Sequence, residues 1–125
     1  MSDFTNLMDA ANNGGVEAQA QLGFLFFKGS KETSQDNVQA ALWFQKAAEQ
    51  GHARAQFQLA DMYFKALGVT KDEGKAVEWI LKAAESGHAV AQSKLSVFYA
   101  NGAFGLPQDK AKAEYWGNKA KFGAR

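Results

Sequence analysis

Two histidines raise the first chemical question. His52 and His88 sit in near-identical phrases, KAAEQGHARAQ from Lys46 to Gln56 and KAAESGHAVAQ from Lys82 to Gln92, thirty-six residues apart. A histidine pair can ligate a metal through its imidazole nitrogens. Here the pair recurs with its whole surroundings, so a repeated structural corner explains it better than a metal site, with the two rings about one unit apart. The chain has no HExxH, no GxxxxGK[ST] and no GxGxxG. Serines and histidines occur, but nothing orders them into a nucleophilic triad, and the carboxylates are spread with no acid–base pair. No catalytic residue, cofactor or metal is expected. Ten Phe, three Trp and three Tyr could stack on nucleic-acid bases. Basic residues do not cluster around them, so the aromatics read as core and no nucleic-acid partner is expected.

The elements that would position these groups follow from composition and period. The 125 residues suit one domain, and 46% apolar content is enough for a buried core. Lys and Arg total 14 against 13 Asp and Glu, which argues against a polyanion or an anionic membrane as partner. The balance is uneven: three Lys and six acids fall in residues 1–50, a net of −3, and five basic residues and two acids fall in 101–125, a net of +3. There is no cysteine, hence no disulfide and no thiolate metal site. The start MSDFTNLMDAANN has neither the basic nor the apolar region of a secretory signal. No apolar run approaches the roughly 20 residues of a membrane span. A soluble, cytoplasmic chain is expected.

A repeat runs through the chain. Ala18, Ala55 and Ala91 align, and four residues on come Leu22, Leu59 and Leu95. Next are the small residues Gly23, Ala60 and Ser96, and eight residues on from the alanines stand Phe26, Tyr63 and Tyr99. Asp36, Asp72 and Asp109 each precede a tryptophan by seven residues, at Trp43, Trp79 and Trp116. Each unit reads as two amphipathic helices joined by a Gly-rich loop. Pro107 and the three aspartates are expected in the first turns of second helices. Gly51 and Gly87 are expected at left-handed helix ends, with His52 and His88 in the tight corner to the next unit. The phrase from Ala10 to Gln19 matches the same corner, so a lone second helix precedes the first full unit.

On these residues the chain resembles the Sel1-like repeat family, helix-pair repeats related to tetratricopeptide units. The second unit carries the pattern in Leu59, Tyr63, Gly68-Val69, Asp72, Lys75-Ala76, Trp79, Lys82-Ala83-Ala84 and Gly87-His88. The first unit departs at Lys31-Glu32-Thr33-Ser34, where another loop path is expected, and the third loses its final corner at Phe122-Gly123-Ala124. The expected fold is all-α: a right-handed α-solenoid of antiparallel helix pairs, with a half repeat over 1–15 and units at about 16–52, 53–88 and 89–125, about seven helices in all. The resemblance implies a non-catalytic module that binds a protein or peptide. Family members also serve as immunity proteins against bacterial toxins, the alternative here; an enzyme or cell-wall hydrolase modulator is less favoured.

Binding in a solenoid falls on the concave groove lined by first helices. Three, six and ten positions beyond the aligned alanines give Gln21, Phe24 and Lys28, then Gln58, Asp61 and Lys65, then Lys94, Val97 and Asn101. Positions seven and nine beyond are expected on the groove walls. Phe24 is divided between partner contact and packing, whereas Val97 leans toward packing. Tyr115, Trp116 and Phe122 are expected where a fourth unit would stack. A monomer is expected, with dimerisation through that C-terminal helix as the alternative. Trp79→Ala should destabilise the chain by about 3–5 kcal/mol, as large core truncations do. An unchanged melting curve would place the repeat register elsewhere.

Overall fold

The computed structural model describes residues 3–123, and these form seven α-helices and no strand. They are α1 (Asp3–Asn12), α2 (Val16–Lys28), α3 (Asn37–Glu49), α4 (Ala53–Lys65), α5 (Glu73–Glu85), α6 (Ala89–Asn101) and α7 (Lys110–Phe122). Each helix packs on the next, and α2 also meets α4. Ala124, part of the altered final corner, lies outside the described residues.

The corners explain why the helices stack. The Gly51 N–H donates to Ala48 O at 3.0 Å and the His52 N–H to Ala47 O at 3.1 Å. Gly87 and His88 make the same bonds to Ala84 and Ala83, and Gly14 and Gly15 to Ala11 and Ala10. This is the Schellman arrangement, and it places the middle residue in the left-handed region. That residue is glycine each time, with φ of 93° at Gly14, Gly51 and Gly87. His52 then starts the next helix: its carbonyl accepts from Gln56 N–H at 2.9 Å, and its Nδ1 accepts from Ala55 N–H at 3.1 Å. His88 Nδ1 accepts from Ala91 N–H at 3.2 Å. One residue thus closes one helix and N-caps the following one, a use that needs an unprotonated Nδ1.

A glutamine braces each corner. Gln19, Gln56 and Gln92 are buried. Their Nε2 groups donate to Ala11 O, Ala48 O and Ala84 O at 3.1, 3.1 and 3.0 Å. The free oxygens of two accept in turn, Gln19 Oε1 from Gln50 Nε2 and Gln56 Oε1 from Ser86 Oγ. The repeat alignment contains these glutamines, but their role was not read from it. The corner alanines Ala11, Ala47, Ala48, Ala83 and Ala84 are almost wholly buried, which lets the braced backbones approach.

The other end of each unit is also capped alike. Asp36, Asp72 and Asp109 are N-caps rather than first-turn residues, accepting from Gln39, Lys75 and Lys112 N–H at 3.0, 2.9 and 3.0 Å. Their own N–H groups reach back to the carbonyls of Phe26, Tyr63 and Tyr99. Pro107 is correspondingly not in the first turn of α7. It lies in the loop, since Asp109 sets the helix start at Lys110. The first loop does take its own path: Ser30 Oγ accepts from the N–H groups of Glu32 and Thr33, both at 3.2 Å.

Three cores alternate along the stack. Ala11, Leu22 and Trp43 join α1 to α3. Phe44, Leu59 and Met62 centre a second, and Ile80, Leu95 and Tyr99 a third. Trp79 packs against both of these, and Trp116 against the last. Across each helix pair the residue sizes compensate. A methyl on Gly23 would lie 2.5 Å from Phe44 Cδ1, so the large ring needs the glycine. The second unit pairs Ala60 with Ile80 and the third Ser96 with Gly117, where Ser96 Oγ bonds Ala113 O at 2.6 Å. A hollow of about 960 Å³ lies between α6 and α7, its small residues Ser93, Ser96, Ala100, Ala113, Gly117 and Ala120 bordered by Gln108, Lys110, Glu114, Asn118 and Lys121. Tyr115, Trp116 and Phe122 do not line that hollow: Tyr115 and Trp116 turn back beside Ser86, Gly87 and Ala89.

Gln56→Leu keeps the volume of the brace but removes its bonds to Ala48 and Ser86. A loss of about 1–3 kcal/mol is expected in urea denaturation. An unchanged midpoint would show that the brace contributes nothing.

Candidate protein-binding surface

The first helices of the units, α2, α4 and α6, present one face of the stack. Their buried sides are fixed by Leu22, Leu59 and Leu95, all at most 1% exposed. Two hollows open between neighbours on the other side. One, of about 370 Å³, is lined by Gln21, Phe24, Leu25, Lys28 and Gly29 from α2 and its cap, and by Arg54 from α4. The other, of about 230 Å³, is lined by Phe57, Asp61 and Phe64 of α4, Ile80 of α5, Lys94 and Phe98 of α6, and Phe104 of the following loop.

The sequence-derived groove residues divide accordingly. Gln21, Phe24 and Lys28 line the first hollow, Asp61 and Lys94 the second. Gln58, Lys65, Val97 and Asn101 line neither. Phe24 is half-buried, edge-on to Phe44 with centroids 4.8 Å apart and covered by the Arg54 guanidinium at 4.6 Å. Its packing partner is a ring of the second helix and not the loop of its own unit. Val97 corrects the expectation of packing, since it remains 55% exposed. Lys65 is held by Asp61 on its own helix, Nζ to Oδ2 3.2 Å.

Residues that the alignment did not single out supply the second hollow. Phe64 and Phe98 occupy expected wall positions, but Phe57 stands at a position filled by Ala20 and Ser93 in the other units. Phe104 lies in the loop before α7 and stands where the first unit has Lys31; the second unit's loop is one residue shorter than the other two. The Phe104 ring meets Phe64 and Phe98 at 5.0 and 4.9 Å between centroids. A departure from the repeat was the available signal for both residues.

The corner and this face are joined through His88. Its ring stacks on Phe57 with centroids 4.6 Å apart and 11° between planes. Burial, then the nearby Arg54 charge, pushes its pKa below 6.5. His52 differs, with its Nε2 3.1 Å from Glu17 Oε2. Among the described residues no three His, Asp or Glu side chains converge as a metal set.

The repeat is matched by the family model for the Sel1 repeat three times, over residues 16–52, 53–88 and 89–121. The chain belongs to the Sel1 repeat family. Sel1 repeat proteins are generally protein–protein interaction modules and typically non-catalytic scaffolds. The fold is similar to that of a Sel1 repeat protein from Oxalobacter formigenes, with TM-score 0.81 and 31% identity over 94% of this chain and 88% of that one. It is also similar to c5321, a protective antigen of uropathogenic Escherichia coli with an SLR fold, with TM-score 0.66 and 25% identity over 100% of this chain and 34% of that one. A curated relative, DAP3-binding cell death enhancer 1 of Rattus norvegicus, is 41% identical over 69 residues. That stretch is 55% of this Sel1 chain and 13% of the relative's length.

The His88 geometry has a pH consequence. The folded state holds the ring neutral more firmly than the unfolded state, so its contribution is complete above pH 6.5 and is lost as pH falls through the lowered folded value. Melting temperature is expected to drop between pH 7.5 and 5, and less steeply in His88→Asn, which caps without titrating. Equal slopes in the two proteins would exclude this role.

Proposed function

We propose that this Sel1 repeat chain is a non-catalytic binding module that takes a protein or peptide segment on the face formed by α2, α4 and α6. The observation that carries the reading is the second hollow, an open surface cavity lined by four phenylalanine rings. A core position fills its space instead, as Phe44 does against Gly23 within the first unit. Lys94 lines the same hollow, Lys28 and Arg54 line the first one, and Val97 of α6 is an exposed apolar residue. Aromatic and cationic side chains of this kind dominate protein interfaces.

The test is affinity capture from the native host's lysate, read by mass spectrometry, with Lys28→Glu/Lys94→Glu as control. Both positions are exposed, so the variant should melt like the parent. A stoichiometric partner held by the parent and lost in the variant is expected. A partner held equally by both would move the interface off this face.

A further inference from the structure

We infer that the hollow between α4 and α6 is an anchor pocket for one apolar side chain of an acidic segment of the partner. The inference rests on the binding-face reading above and adds the chemistry of the occupant.

Size points to a side chain. At about 230 Å³ the hollow is smaller than the roughly 300–1,000 Å³ of clefts that hold whole small molecules. Its walls are apolar: Phe57, Phe64, Ile80 and Phe98. Phe104 forms a lip. That residue has φ 54°, the left-handed region, and is 42% exposed. Such a backbone is unfavourable for an L-residue, and glycine would relax it. The loop instead carries an aromatic ring there, leaning on Phe64 and Phe98 at the hollow's edge. In the first unit the positions of Phe57 and Phe98 hold Ala20 and Leu25, so the ring cluster belongs to this one place in the stack.

Charge selects the flanks. On the second helices, Lys46, Lys75, Lys82, Lys112 and Lys119 lie over aromatic rings. Asp61, the acid at the hollow, is already paired with Lys65. The α6 helix carries no acid at all. Lys94 at the rim has no ion-pair partner among the described residues, nor has Lys28 across the face, and Arg54 faces outward from the ring of Phe24. A segment bearing carboxylates either side of an apolar anchor would meet these cations. Such contacts steer encounter and weaken with salt, while the buried anchor supplies residence time.

The probe is a random twelve-residue peptide display library selected on the whole chain. Enriched sequences should combine a Leu, Ile, Phe or Trp with at least two Asp or Glu. A synthetic peptide of that set should bind at least tenfold more weakly to Lys94→Glu and to Phe104→Gly, and more weakly at high salt. Phe104→Gly relaxes the loop, so its melting curve separates lost grip from lost fold. Enrichment of basic or anchor-free peptides, no enrichment, or binding indifferent to both variants would overturn the inference. Peptides of other chemistry that are nonetheless lost in Lys28→Glu/Lys94→Glu would refute the anchor and leave the binding face standing. Indifference to every one of these variants would refute both.

Discussion

Between α3 and α4, and again between α5 and α6, a glycine and a histidine make the whole turn. The histidine N–H closes the outgoing helix while its carbonyl and Nδ1 receive the first donors of the incoming one. A longer linker would let successive helices choose among many orientations. This joint leaves nearly none, because its glycine and histidine N–H groups and the histidine carbonyl are all hydrogen-bonded to the two helices. The glutamine one turn into the new helix then ties back to the old one. With the corner fixed twice over, the placement of each first helix on the preceding unit follows, and so does the face that α2, α4 and α6 share. The stack depends on a few hydrogen bonds repeated in register, and each unit touches only its neighbours.

Within that frame the interior is set by volume exchange. Phe44 occupies space that Gly23 vacates, Ile80 faces Ala60, and Gly117 faces Ser96. The sequence of sizes matters outside the core as well. Where the second unit presents Phe57 and Phe64 toward α6, the third presents Ser93 and Ala100 at the end of the stack. Aromatic rings therefore gather between α4 and α6, while the hollow between α6 and α7 is lined by no aromatic side chain.

How much of this could be read from the residues follows from what a repeat reveals. Periodicity identifies positions that do the same work, so the helix pairs, the left-handed glycines and the tryptophan positions were all legible. It does not say what that work is. Gln19, Gln56 and Gln92 stood in the alignment, yet only the carbonyl eight residues back shows them to be braces. The aspartates were one step misplaced because the dipole argument and the N-cap argument use the same residue type at adjacent positions. Pro107 misled for a related reason: a proline close before a helix suits its first turn, but Asp109 caps more strongly and sets the start. Of the predicted groove residues, those at hollows were found by helical phase alone. Phe57 and Phe104 escaped because they break the pattern.

That contrast bears on function. Positions that obey the repeat are occupied in building the stack, and a substitution there is felt as lost stability. Freedom to recognise a partner is left to positions where the units differ, and the departures here are chemically coherent. Phe57 replaces a small residue, Phe104 stands where the first unit has Lys31, and Arg54 stands where the third unit has Val90. All three are linked to one corner: Phe57 stacks on His88, Arg54 adds to the burial that lowers that histidine's pKa, and Phe104 lines the same hollow as Phe57. Scaffold and surface are thus coupled at the joint between the second and third units.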